Sequence, residues 1–338
     1  MRLVNLGLLA CATICPLSAQ SLRDLVDQRG IRFGAAVAPS HFSEMEYAAV
    51  LAREFNQVEP ENLMKFGLIH PGPTTYNFGP ADSIVDFAQA HGMVVRGHTL
   101  VWHNQVAGWV KSGNYTPEQL SSILREHIQT VVGHYAGKVY AWDVVNEAFE
   151  TDGSLRKTIW SDTPGYIEQA LKWAHATDPK ALLFYNDFNA ETVNAKSDAI
   201  FKMAQDLKSR GVPLDGIGLQ MHIGVHPPPL DGIESNMRRI ADLGLQVQIT
   251  ELDVKLPVDS SGSATPELLD KQAKVYGDIV ALCVKNPHCT AIQTWGFTDK
   301  YSWIPGSSKG NGAALEFDAN YQPKPAYKAI VEAMKAPR

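Results

Sequence analysis

Along the chain, short apolar runs rich in β-branched residues alternate with longer amphipathic stretches. The period of two or a continuous apolar run marks a strand, and recurrence every three to four residues marks a helix. This pattern predicts eight strands: Phe33 to Ala38, Asn56 to Glu59, Val94 to His98, Val139 to Val145, Leu182 to Asn186, Gly216 to Met221, Gln246 to Thr250 and Ala291 to Trp295. Helices are predicted between them near Ser43 to Glu54, Ala81 to His91, Pro117 to Tyr135, Pro164 to Thr177, Val193 to Arg210, Gly232 to Leu243 and Pro266 to Lys285, with a last one near Pro325 to Lys335. Glycines just past His91, Arg210 and Leu243 supply the left-handed residue that ends a helix. Eight strand–helix units predict an α/β chain folded as one (β/α)8 barrel. The alternative, a doubly wound open sheet, would show a glycine-rich phosphate turn after its first strand, and Phe33-Gly34-Ala35-Ala36-Val37 is not one.

The first nineteen residues do not fit the alternation. Arg2, an apolar run from Leu3 to Ile14 and the small-residue end Pro16-Leu17-Ser18-Ala19 predict a signal peptide over 1–19, leaving 20–338 as the catalytic domain. A lipoprotein reading around Cys11 is the lesser alternative, because Leu9 is unusual in such a box. The net charge is −6, one unit more negative without Arg2, and no basic stripe exists to counter phosphates. Nucleic acid and anionic membrane are therefore not expected partners, and a secreted, extracellular or periplasmic monomer is. Cys283 and Cys289 are expected to pair as a local disulfide contributing about 2 kcal/mol, with metal binding the weaker reading.

Chemistry collects at one end of the predicted strands. Glu147 and Glu251 close the fourth and seventh strands, the end where α/β barrels keep their active sites. Around them fall Glu61, Asn62 and Lys65 after the second strand, and His98, Trp102 and Gln105 after the third. Asn146 precedes Glu147, and Tyr185 and Asn186 end the fifth strand. Gln220 and His222 follow the sixth, Asp253 the seventh, and Trp295 and Trp303 the eighth. Any one of these is ordinarily a satisfied structural residue, but their recurrence at one rim is not. Paired carboxylates suit attack at an acetal carbon, amides and Lys suit sugar hydroxyls, and indoles suit pyranose faces. No His-x-His spacing supports a metal site, so no metal or other cofactor is expected. The Gly-x-Ser-x-Gly match at Gly306-Ser307-Ser308-Lys309-Gly310 does not directly follow a predicted strand, as a serine-hydrolase elbow would.

Six segments together carry a resemblance. Glu61-Asn62-Leu63-Met64-Lys65, Arg96 to Gln105, Trp142 to Glu147, Gln220-Met221-His222, Thr250 to Asp253 and Trp295 to Trp303 resemble glycoside hydrolase family 10, the retaining endo-β-1,4-xylanases, in the family's own order. The resemblance implies a (β/α)8 barrel acting on xylan, with Glu147 as acid/base and Glu251 as nucleophile. It implies that Asn146, His98, Trp102, Gln220, Trp295 and Trp303 frame the cleaved sugar. Glu61, Asn62 and Lys65 would hold the next sugar on the glycone side, and Tyr185 would stack on the aglycone side. His222 and Asp253 would orient Glu251. Gln105 and Asn186 are further expected substrate contacts, and the Cys283–Cys289 pair also has a family counterpart. The chain departs at Phe66-Gly67-Leu68-Ile69-His70-Pro71, where the family continues Trp-Asp and then Glu-Pro, and at Gln105-Val106-Ala107, which lacks a common proline. Those departures bear on glycone-side packing. A retaining β-1,4-glucanase on the same barrel, or a non-catalytic carbohydrate-binding barrel, are the rival functions.

Overall fold

The computed structural model describes residues 20–337. Eight parallel strands close on themselves: β1 (Arg32–Val37), β2 (Gln57–Pro60), β3 (Val94–Val101), β4 (Val139–Asn146), β5 (Leu182–Asp187), β6 (Gly216–Leu219), β8 (Gln246–Pro257) and β9 (Cys289–Thr294). Each pairs with its neighbour in parallel, and β9 pairs with both β8 and β1, which closes the barrel. The short β7 (His222–Gly224) lies along the outer half of β8 with His222 opposite Asp253, and β10 (Asn311–Gly312) pairs antiparallel with the end of β8. Helices connect successive strands, so the architecture is a (β/α)8 barrel.

All eight predicted helices are present, at Met45–Glu54, Gly79–Ala90, Pro117–His134, Tyr166–Thr177, Ala195–Ser209, Leu230–Asp242, Pro266–Lys285 and Pro325–Lys335. A further helix, Leu22–Arg29, is fixed by a reciprocal cap between Ser21 and Asp24, and buries Leu22, Leu25 and Val26. The predicted leader over 1–19 lies outside the described residues. Cys283 and Cys289 are disulfide-bonded, fastening the end of Pro266–Lys285 to the start of β9.

The space between barrel and helices is filled by aliphatic and aromatic side chains. Inside the barrel the filling is partly polar. Fully buried Arg96 pairs with Asp143 and lies 3.6 Å from Glu59. Burial, with the Asp143 charge beside it, pushes the Glu59 carboxyl well above the usual range. Such a network forms a charged floor below the rim at which β3 and β4 end.

Candidate active site

At the carboxyl end of the strands, a cavity of about 600 Å³ is lined by Glu61, Asn62, Lys65, His98, Trp102, Asn104, Gln105, Asn146, Glu147, Phe188, Asn189, Gln220, His222, Glu251, Trp295 and Trp303. Glu147 is the residue after β4 and turns out of the strand with a φ of 58°. Its carboxyl is gripped from three sides. Trp102 Nε1 donates to Oε2 at 2.9 Å, while Gln220 Nε2 and Asn146 Nδ2 reach Oε1 at 3.1 and 3.3 Å.

Glu251 sits in the middle of β8, 5% exposed. Asn186 Nδ2 donates to its Oε1 at 2.8 Å, and His222 Nε2 lies 3.1 Å from its Oε2. Burial alone would raise this carboxyl, but the His222 hydrogen bond and the nearby His98 ring outweigh it, and the net shift is downward. The other imidazole nitrogen, His222 Nδ1, lies 2.8 Å from Asp253 Oδ2, which also accepts from Trp303 Nε1 at 2.8 Å. Burial would lower His222, yet the charges of Asp253 and Glu251 more than offset it, and the imidazole is pushed up to about 10. Glu251 is thus a carboxylate held against an imidazolium, the state a nucleophile requires.

The two acids are tied together by carboxamides. Asn186 Nδ2 touches both Glu251 and Asn146 Oδ1, and Gln220 Nε2 touches both Asn146 Oδ1 and Glu147 Oε1. Gly218 on β6 makes room for this bridge. A β-carbon there would stand 2.2 Å from Asn186 Oδ1.

On one side of the acids, Lys65 is buried with its ammonium 4.9 Å from the Trp102 ring centroid and 5.4 Å from that of Trp295, and donates to Asn62 Oδ1 at 3.0 Å. Gln105 Nε2 reaches the same oxygen at 3.2 Å. Phe66 and His70, among the residues that depart from the family pattern, lie behind this wall rather than in it. Phe66 stacks on His127 at 4.0 Å, His70 Nδ1 lies 3.3 Å from His127 Nδ1, and neither Phe66 nor His70 lines the cavity. Gly67 allows the loop after β3 to close down, since a β-carbon would meet the Gln105 carbonyl at 2.5 Å.

Two expected contacts need correction. Tyr185 is buried, points away from the cavity and uses its hydroxyl on Ala148 N and Asp187. It therefore has no face to offer a sugar. Phe188, three residues on, lines the cavity instead; the period of two fails here because the chain leaves β5 at Asp187. Asn186 is completely buried and is a partner of Glu251 rather than a substrate contact. Asn104, Phe188 and Asn189 were missed, all on loops where no periodicity could point to them. Asp253 does not line the cavity and acts through His222 and Trp303.

Glu59, His98 and Asp143 place donor atoms within 4.8 Å of one another, but Arg96 already supplies the positive charge against Asp143 and Glu59. This trio therefore forms part of the floor.

The chain is similar to characterised proteins over nearly its whole length. It is 46% identical over 333 residues to endo-1,4-beta-xylanase B of Thermotoga neapolitana, covering 97% of this chain and 95% of that one. It is 44% identical over 312 residues to beta-1,4-xylanase of Dictyoglomus thermophilum, covering 88% and 87%. Among solved structures, xylanase 10B from Thermotoga petrophila RKU-1 in complex with xylobiose superposes with a TM-score of 0.91 at 46% identity, covering 94% of this chain and 98% of that one. The family model for glycosyl hydrolase family 10 matches residues 21–333. With the barrel, the paired acids and this match in agreement, the chain belongs to glycosyl hydrolase family 10.

Proposed function

We propose that this glycoside hydrolase is a secreted endo-1,4-β-xylanase that cuts internal β-1,4 bonds of xylan with retention at the anomeric carbon. The observation that carries the reading is the pair Glu147 and Glu251, facing one cavity and joined by a common amide bridge. Retention asks for carboxyl groups about 5–5.5 Å apart across the sugar, and both acids face the same cavity.

In the first step Glu251 attacks the anomeric carbon while Glu147 gives a proton to the departing glycosidic oxygen, leaving a glycosyl ester on Glu251. In the second, Glu147 takes a proton from water, whose oxygen displaces Glu251. His98, Trp102, Asn146, Gln220, His222, Trp295 and Trp303 surround the sugar being cleaved. Glu61, Asn62, Lys65 and Gln105 hold the next one on the glycone side, and Phe188 carries the aglycone. His222 and Asp253 keep Glu251 aimed and ionised. No step calls on a metal or organic cofactor.

The leader at 1–19 and the Cys283–Cys289 disulfide support export to an oxidising compartment, with 20–338 acting there as a catalytic monomer. The test is hydrolysis of xylan beside cellulose and mannan, with the first-formed anomer read by proton NMR. Preferential release of β-anomeric xylo-oligosaccharides is expected. An α-anomer first product overturns retention, faster cellulose cleavage makes the chain a glucanase, and no reducing sugar from any of them makes it a binding protein.

A further inference from the structure

Glu147 stands in a backbone conformation that a residue with a β-carbon avoids. At φ 58° it lies in the left-handed region, which costs about 1–2 kcal/mol and persists only where the surroundings impose it. Four hydrogen bonds impose it here. The Glu147 N–H donates to the Asn186 carbonyl at 2.9 Å, and the Ala148 N–H donates to the Tyr185 hydroxyl at 2.9 Å. From the other direction Arg156 Nε donates to the Glu147 carbonyl at 3.0 Å, and the Arg156 N–H donates to the Ala148 carbonyl at 2.8 Å.

The Tyr185 hydroxyl is itself anchored. It donates to Asp187 Oδ2 at 2.5 Å, and Asp187 Oδ1 is paired with Lys196 Nζ at 2.6 Å. Tyr185, Asp187 and Lys196 are all but completely buried, and none lines the cavity. Burying a phenol, a carboxylate and an ammonium together is a poor way to gain stability, because desolvation offsets most of the attraction. A phenylalanine at 185 would fill the same space. What the hydroxyl adds is a fixed acceptor for the first N–H beyond Glu147.

We propose that Tyr185, backed by Asp187 and Lys196 and opposed by Arg156, is a positioning residue that aims the proton-donating carboxyl of Glu147. This rests on Glu147 being the proton donor. A donor shifted by a fraction of an ångström loses rate only where protonation of the leaving group matters. The role therefore leaves a signature that general loosening of the fold does not.

The experiment compares Tyr185→Phe, Glu147→Ala and the unaltered enzyme on aryl xylobiosides of graded leaving-group acidity and on xylohexaose, reading kcat/KM. For Tyr185→Phe a loss of about tenfold is expected on xylohexaose, shrinking to less than about twofold on the most acidic phenol. Glu147→Ala should follow the same trend more steeply. If Glu147→Ala loses rate equally across the series, the proton-donor reading falls. If it shows the trend and Tyr185→Phe does not, whether by uniform loss or by none, the positioning role falls. Should Tyr185→Phe fail to fold, Arg156→Lys, which keeps the charge and removes the Nε donor, is read on the same series with the same outcomes.

Discussion

A carboxylate pressed against an imidazolium in a nearly closed site has little to do except attack, and Glu251 is so placed. Glu251→Ala should lower kcat on xylan by at least about 10⁴-fold while leaving ligand binding within about tenfold, because the lost interaction forms in the transition state. Turnover and calorimetric titration with xylotriose measure the two separately. His222 supplies a test of the surrounding charge. Its folded value near 10 lies above the unfolded 6.5, so the stability it contributes is complete below pH 6.5 and is lost as pH rises through about 10. The melting temperature should therefore fall across that window, and less steeply in His222→Asn. At this scale the sequence was informative for side chains that end a strand, such as Glu147. It misled at Tyr185 and Asn186, because type and position do not say which way a strand-end residue turns. The Tyr185 ring was read as stacking on a sugar and the Asn186 amide as a sugar contact, when the hydroxyl is bound to Ala148 and Asp187 and the amide to Glu251.

Elements carry the site by how closely they approach. Gly218 on β6 leaves space that Asn186 of β5 occupies on its way to Glu251. Gly218→Ala should displace Asn186 and cut kcat/KM about 10- to 100-fold, with the barrel retained by circular dichroism. The double variant Gly218→Ala, Asn186→Ala should recover only part of the thermal stability and none of the activity, because the added β-carbon still meets Thr250 Cγ2 at 2.9 Å. Strand and helix existence was legible because binary patterning and the glycines beyond His91, Arg210 and Leu243 gave consistent signals. Ends were less so. β8 was expected to stop at Thr250 but runs to Pro257, since its outer half finds partners in β7 and β10 that are too short to leave a pattern. The helix at Leu22–Arg29 went unread beside the leader, although its Ser21 and Asp24 cap was visible.

Across the whole molecule, closure of the barrel places acids in contexts where pH acts on the fold as well as on the chemistry. Glu316 is wholly buried, accepts one hydrogen bond from Thr294, and is pushed by burial up to about 8. Its folded value exceeds the unfolded 4.5, so its contribution is intact below pH 4.5 and is lost as pH climbs to about 8. Glu316→Gln should flatten that part of the unfolding free energy against pH, measured by urea denaturation at steps between pH 4.5 and 8. None of this environment could be read from the chain, because Thr294 ends the last strand and Glu316 lies 22 residues further on, beyond the reach of any local period. The spacer between Glu147 and Glu251 follows a different rule. Asn146, Asn186 and Gln220 bear carboxamides, which neither gain nor lose protons in water. Acid or alkali can silence the reacting pair while their separation endures, so a sample parked at an inactive pH should resume turnover as soon as buffer is restored, with no refolding delay.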